Sequence, residues 1–241
     1  MRLVVTSDAG QLADAAATLI RDRVRRRPTL AMAVPAGRTP RRMYARLAAL
    51  QAQAPVDFSG LRVFAVDELC PPAPPDGYFW RQIRAELLAW AGVPRDRCHP
   101  FAVDAPDPAA MCEAYEARIA EAGGLDLVML GLGPNGHIAS NEPPAAPDSR
   151  TRPVRLLEAT VAYILTDEVL QGAVSDRAVT LGVATILAAR EVVLLVAGAA
   201  KREILARVLD GPVTGNVPAS FLRAHPACTV LADRDARPDG S

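Results

Sequence analysis

The chain has 241 residues, 50% of them hydrophobic, with 27 basic and 27 acidic side chains and a formal net charge of +0. This excludes disordered and fibrous classes, gives no electrostatic case for a nucleic-acid or anionic-membrane partner, and supplies a core large enough for one α/β domain. No apolar run approaches the roughly 20 residues that cross a bilayer, and Met1–Val5 passes at once to Ser7 and Asp8 without a signal-peptide core, so a cytoplasmic location is expected.

In chain order, Arg2–Thr6 reads as a strand, and Leu12, Ala16, Leu19, Ile20 and Val24 recur at helical spacing up to Pro28. The arginines between Arg21 and Arg27 fall at the end of that helix, where they suit the dipole and a solvated face. Leu30–Val34 is a short apolar strand. A helix follows, with Thr39 as its N-cap and Pro40 at its first position. Leu61–Val66 is the next strand. It runs into a proline-rich loop, Pro71–Pro75, and a helix carrying Phe79, Ile83, Leu87 and Leu88.

A helix from Pro108 to Ala122 stops at Gly123-Gly124. Leu125–Leu130 is apolar apart from Asp126, as befits a central parallel strand. Residues 143–165 are rich in proline and arginine and give only a strand or hairpin near 153–157. Val179–Ala189 reads as a strand end and a helix, and Glu191–Ala197 as a buried strand. A helix from Lys201, a short helix near Ala219–Ala224 and a strand at Cys228–Ala232 complete the pattern. Alternating strands and helices imply a parallel sheet covered on both faces. Residues 1–233 are expected to form a single domain, and 234–241 an unstructured tail. Cys70, Cys98, Cys112 and Cys228 show no metal-ligand spacing and read as reduced thiols.

Four polar or glycine-rich segments directly follow strands: Ala36-Gly37-Arg38-Thr39, Asp67-Glu68, Gly131–His137 and Gly198–Lys201. In open parallel sheets, ligands bind beyond the carboxyl ends of the strands, so these four should converge. The first opens a helix and offers backbone N–H groups to an anion; an ordinary capped helix is the alternative. Lys201, the single lysine beside 26 arginines, can supply the countercharge. Asp67 sits where an apolar strand ends, and burial there raises a carboxyl toward the range useful for proton transfer; a solvated loop acid is the alternative. In the third segment three glycines allow close backbone approach to a ligand, and His137 presents an imidazole with Glu142 five residues on. His99 and His225 lack such a frame and read as packing or surface residues.

Gly131-Leu-Gly-Pro-Asn-Gly-His-Ile-Ala-Ser-Asn-Glu-Pro143 resembles the GxGxDGHIAFNEP signature of glucosamine-6-phosphate deaminases. Gly37-Arg38-Thr39-Pro40, Val66-Asp67-Glu68, Val179–Gly182, Gly198–Lys201 and Pro218–Pro226 resemble further motifs of that family, so the likeness covers nearly the whole chain. The sister 6-phosphogluconolactonases carry GHTASLFP where this chain has Gly136–Pro143. The resemblance implies a three-layer parallel-sheet sandwich, modified Rossmann-like, of the glucosamine-6-phosphate deaminase/ribose-5-phosphate isomerase type. It implies an aminosugar-phosphate isomerase/deaminase acting without metal or other cofactor, as a monomer or small homo-oligomer. His137 would open the sugar ring, Glu142 and Asn135 would govern its protonation, and Asp67 would move a proton between C1 and C2. Ala36, Gly37, Arg38, Thr39, Glu68, Gly133, Gly136 and Lys201 would bind substrate and phosphate.

The chain departs from the signature at Asn135 for Asp, Ser140 for Phe, Arg38 for a small residue, and Gly77 for Ser or Asn before Tyr78. The 160–170 stretch holds no arginine for the phosphate, and Arg38 is the candidate replacement. A lactonase using His137 to activate water and a non-catalytic sugar-phosphate sensor are the competing readings. A dinucleotide binder built on Gly131-x-Gly133-x-x-Gly136 is weak, because Pro134 and His137 suit a pyrophosphate turn poorly.

Overall fold

The computed structural model describes residues 1–71, 77–167 and 175–239; beyond Pro71 the proline-rich loop lies outside the described residues. The chain begins with β1 (Arg2–Thr6), α1 (Ala9–Arg26), β2 (Ala31–Val34), α2 (Arg38–Gln53), β3 (Arg62–Ala65) and β4 (Asp67–Leu69). Next, α3 (Phe79–Ile83) continues through a π-helical turn, Arg84–Leu88, into α4 (Ala89–Ala91). Then come β5 (Cys98–His99), α5 (Pro108–Glu121), β6 (Leu127–Gly131), β7 (Arg152–Arg155), α6 (Glu158–Leu165), β8 (Arg177–Thr180) and α7 (Val183–Leu187). The chain closes with β9 (Glu191–Val196), a 3-10 turn at Ala199–Lys201, α8 (Arg202–Asp210), a second 3-10 segment at Pro218–Ala224 and β10 (Cys228–Asp233).

Seven strands form one sheet in the order β1-β10-β9-β6-β2-β3-β5, every neighbouring pair parallel. Its central strands are apolar on both faces: all four residues of β2 are buried, as are Leu127–Leu130 of β6 and Val192–Val196 of β9. From β2 the chain works outward through β3 and β5, then returns to the other side of β2 as β6 and works outward again. The loops after β2 and β6 therefore diverge from adjacent strands and leave a crevice between them.

The helices read from spacing form for the expected reasons. Asp8 caps α1, its carboxylate accepting the N–H groups of Gly10 and Gln11, and Leu12, Ala16, Ile20 and Val24 make the buried stripe. The arginines at its end do more than face solvent. Arg23 forks Glu191 at 2.6 and 2.8 Å, and Arg27 reaches the buried Asp126 at 2.5 Å. For α2 the expected cap is corrected: Gly37 is the N-cap, Thr39 lies inside the first turn, and no side chain caps this end.

Two features escape the sequence pattern. A three-stranded antiparallel sheet, ordered β4-β8-β7, sits apart from the main sheet, and β4 begins two residues after β3 ends. Strand β7 answers the strand or hairpin expected near 153–157, and helix α6 follows it in the same proline- and arginine-rich stretch, where no helix was expected. At the C-terminus the tail is pinned where it leaves β10. Ala236 is fully buried, and the Asp233 carboxylate accepts the N–H groups of Ala236 and Gly198; residues 240 and 241 lie outside the described residues. No described helix is long and apolar enough to cross a membrane.

Candidate active site

The crevice between β2 and β6 opens into a cavity of about 170 Å³, walled by Pro35–Pro40, Val66, Asp67, Gly131–Gly133, His137, Ser140, Thr160, Tyr163, Ile164, Asp167 and Lys201, among others. All four loops expected at this edge of the sheet contribute. Ala36, Gly37, Arg38, Thr39, Asp67, Gly133, His137 and Lys201 therefore share one space.

Asp67 opens β4 at the floor of the cavity. Burial raises its carboxyl from 3.8 to about 7, opposed by a hydrogen bond from Ser140 and assisted by the neighbouring charge of Glu68. The Ser140 hydroxyl donates to Oδ2 at 2.7 Å. A carboxyl poised near neutrality both takes and returns a proton without a large penalty in either direction.

Glu68, expected among the substrate-binding residues, points elsewhere. Its Oε1 accepts the N–H groups of Leu69, Tyr78 and Phe79 at 2.8–3.0 Å, and Oε2 that of Trp80 at 2.8 Å. It closes the N-terminus of α3, satisfying backbone donors that burial would otherwise strand. The same contact accounts for Gly77. A Cβ there would meet Glu68 Oε2 at 2.2 Å, so a serine or asparagine does not fit this carboxylate's position.

His137 lies over Gly133, whose absent side chain is what makes room for the ring: a Cβ would stand 2.3 Å from imidazole atoms. Gly136, also expected at the ligand, backs instead onto Val217 and Ile204. Behind the imidazole, Nδ1 is 2.8 Å from Oδ1 of Asn135, and the Asn135 amide donates to Glu142 Oε2 at 2.7 Å. An amide oxygen only accepts, so Nδ1 carries the proton and Nε2 is the nitrogen left for chemistry. Glu142 stands 3.6 Å from Nδ1. Burial raises its carboxyl, but His137, Thr160 and Asn135 beside it outweigh that and leave it below its usual value. Asn135 and Glu142 thus stand behind the imidazole rather than in the cavity wall.

Lys201 ends the turn after β9. Its ammonium is buried without a hydrogen-bond partner among the described residues and lies 4.8 Å above the Tyr163 ring. Burial, then the charge of Arg38, lowers it from 10.5 to about 8. Arg38 stacks on the same ring at 5.3 Å and reaches Thr166, just past the end of α6. Two cations, the first-turn N–H groups of Arg38 and Thr39 and the positive end of a 16-residue helix surround one corner, which suits a dianionic phosphate.

Several contributors carry no motif. Gln82 pairs both backbone groups of Gly37, accepting its N–H at 3.0 Å and donating to its carbonyl at 3.1 Å, so this N–H is not the one offered to an anion. Thr160, Tyr163 and Ile164 bring α6 over the cavity, and Asp167 is tied to Arg41 at 3.1 Å. Helical spacing of Thr160, Tyr163 and Ile164 was the available signal, hidden by the prolines and arginines before it. His225 is buried against the carbonyl of Ala189, and His99 stacks on Phe64, as packing residues do. Among the described residues no cluster of three or more His, Cys, Asp or Glu is placed to hold a metal ion.

Residues 6–231 match the family model described as glucosamine-6-phosphate isomerases/6-phosphogluconolactonase. A glucosamine-6-phosphate deaminase of Rhodopirellula baltica is 40% identical over 91% of this chain and 88% of its own length. One from Shouchella clausii is 34% identical over 98% and 96%. Among solved structures, a monomeric glucosamine-6-phosphate deaminase superposes with a TM-score of 0.91 at 28% identity, covering 98% of both chains. The 6-phosphogluconolactonase of Trypanosoma brucei, 24% identical over 98% and 97%, shares the fold at a TM-score of 0.76.

Proposed function

Since the chain belongs to the glucosamine-6-phosphate isomerase/6-phosphogluconolactonase family, we propose that it converts glucosamine 6-phosphate and water into fructose 6-phosphate and ammonia. The observation that carries this reading is the convergence on one cavity of a carboxyl near 7 with an imidazole Nε2 and an ammonium that have no hydrogen-bond partner among the described residues. We read residues 1–233 as one enzyme domain, working in the cytoplasm as a monomer or small homo-oligomer.

The phosphate is held by the Lys201 ammonium, the Arg38 guanidinium and the N–H groups of Arg38 and Thr39, with Ala36, Gly37 and Gly133 shaping the backbone around the sugar. Nε2 of His137 takes the proton of the O1 hydroxyl and returns it to the ring oxygen, opening the ring to an aldehyde at C1. The imidazolium formed in passing is steadied by the Asn135 carbonyl and, across it, by Glu142. The Asp67 carboxylate removes the proton from C2 while O1 takes up a proton given up by the amino group, forming an enolamine; Asp67 then returns its proton to C1, leaving a hydroxyl at C1 and a carbon–nitrogen double bond at C2. Water adds to that bond, ammonia departs and the ketone of fructose 6-phosphate remains. The reverse sequence fixes ammonia.

Ammonia release from glucosamine 6-phosphate, set against acid release from 6-phosphogluconolactone, tests the assignment. Turnover of the aminosugar phosphate alone is expected. Hydrolysis of the lactone alone would make His137 a water-activating base, and ligand-induced thermal stabilisation without turnover of either would leave a sugar-phosphate sensor.

A further inference from the structure

Ser140 occupies a place where the deaminase signature has phenylalanine, and it does chemistry that a phenyl ring cannot. Its side chain is buried at the cavity wall, and its hydroxyl makes the only hydrogen bond to the Asp67 carboxylate among the described residues. The backbone holds it there from two sides. Ala139 adopts a left-handed turn (φ 47°) that swings the chain back toward β4, and the Ser140 N–H donates to Thr180 Oγ1 at 3.1 Å. Thr180 is itself the residue opposite Asp67 in the β4–β8 ladder, so hydroxyl and carboxylate are fixed to one frame.

We propose that Ser140 is a positioning residue for proton transfer: by engaging Oδ2 of Asp67 it leaves Oδ1 as the oxygen that collects the C2 proton and returns it to C1. The proposal rests on the deaminase reading above. A carboxylate free on both oxygens rotates about χ2 and presents either one; a single short donor removes that freedom and favours the ionised form that acts as base. A phenylalanine here supplies shape but no donor. The groups facing Asp67 are few. Glu68 lies beside it on β4, His137 comes from the loop after β6 and Lys201 from the turn after β9. Arg38, Tyr163 and Asp167 complete the titratable residues of the cavity.

The test compares wild type, Ser140→Ala and Ser140→Thr by two measurements. One is the pH titration of the Asp67 carboxyl carbon by 13C NMR, assigned by its loss in Asp67→Asn; the other is the pH profile of kcat/KM for glucosamine 6-phosphate. In Ser140→Ala the carboxyl midpoint and the acidic limb should rise together by about one pH unit. On the alkaline side the rate should fall about three-fold, as the ionised carboxylate loses its fixed orientation, and on the acidic side by about a further ten-fold. Ser140→Thr, which keeps the hydroxyl, should restore both. An unmoved midpoint in Ser140→Ala, or a rate kept at the wild-type level on the alkaline side, would overturn the proposal and reduce Ser140 to packing. If wild type releases no ammonia, the deaminase reading falls, while the carboxyl midpoints still decide whether the hydroxyl governs Asp67.

Discussion

Asp67 is both the most useful carboxyl of this molecule and a burden on its fold. Its carboxyl is raised from 3.8 to about 7 in the folded state, chiefly by burial. Below its unfolded value both states are protonated and folding loses nothing. As pH climbs through the interval the unfolded chain ionises first, and above 7 the folded state carries the whole penalty, about 4 kcal/mol for three pH units. Asp67→Asn should therefore raise Tm by several degrees at pH 8 and hardly at all at pH 4, while lowering kcat by about 10²–10⁴-fold. Calorimetry at the two pH values checks it, and an equal gain at both would mean that ionisation is not the cause. Asn135 poses the complementary case. Its amide oxygen faces His137 and its nitrogen faces Glu142, so it joins an imidazole to a carboxylate without adding charge. Asn135→Asp puts a charge beside the imidazolium and should raise the rate of deamination by about ten-fold. It also sets two carboxylates against each other where a 2.7 Å hydrogen bond stood, so Tm should drop. A variant with wild-type rate would show that ring opening does not limit turnover.

Among the elements, the loop after β2 depends on α3. Gln82 holds both backbone groups of Gly37, and its amide also donates to Glu86 at 2.9 Å, which in turn pairs with Arg41 of α2. Gln82→Leu removes these bonds at similar size and leaves a half-buried N–H without its partner, a cost of about 1 kcal/mol. Because the affected loop binds rather than reacts, KM should rise about ten-fold with kcat kept, and steady-state kinetics would show the split. An equal fall in kcat would mean that the loop also positions the reacting carbons. The same elements mark the limit of what was legible beforehand. The parallel strands could be read because burial on both faces leaves long apolar runs, and the four loops followed from their place after those runs. Of the second sheet only β7 and the end of β8 could be read, not β4 or their pairing. Only Val66 separates β3 from β4, β4 is the Asp67-Glu68-Leu69 that reads as a polar loop, and its pairing with β8 joins residues more than 100 positions apart. Glu68 and Gly136 belonged to the right motifs, yet one caps α3 and the other packs on Val217, because a motif preserves the shape of a loop as well as its chemistry. Gln82 has no motif at all; its role exists only once α3 lies against Gly37.

Across the whole molecule the parallel sheet separates chemistry from stability by its two edges. At the carboxyl ends of the strands, groups are left strained for function: a raised carboxyl, and an ammonium with no partner among the described residues. At the amino ends the carboxylates of Asp126 and Glu191 are satisfied. Asp126, buried just before β6, accepts the Ala31 N–H at 2.9 Å, Arg27 at 2.5 Å and Arg190 at 2.9 Å, so one carboxylate ties α1, β2, β6 and the start of β9 together. Beside it Arg23 forks Glu191, the first residue of β9. Removing the carboxylate strands the buried Ala31 N–H, which costs about 1–3 kcal/mol, while the half-exposed Arg27 and Arg190 guanidinium groups turn to solvent at little further cost. Asp126→Ala should lower the urea midpoint accordingly, and Asp126→Asn, which keeps an acceptor for Ala31, should lose less. Both should retain wild-type kcat and KM, since the rigid strands between the two edges hold their register when this clasp is cut. A change in KM without loss of stability would show instead that the spacing of β2 and β6, and with it the width of the catalytic crevice, is set from the far side of the sheet.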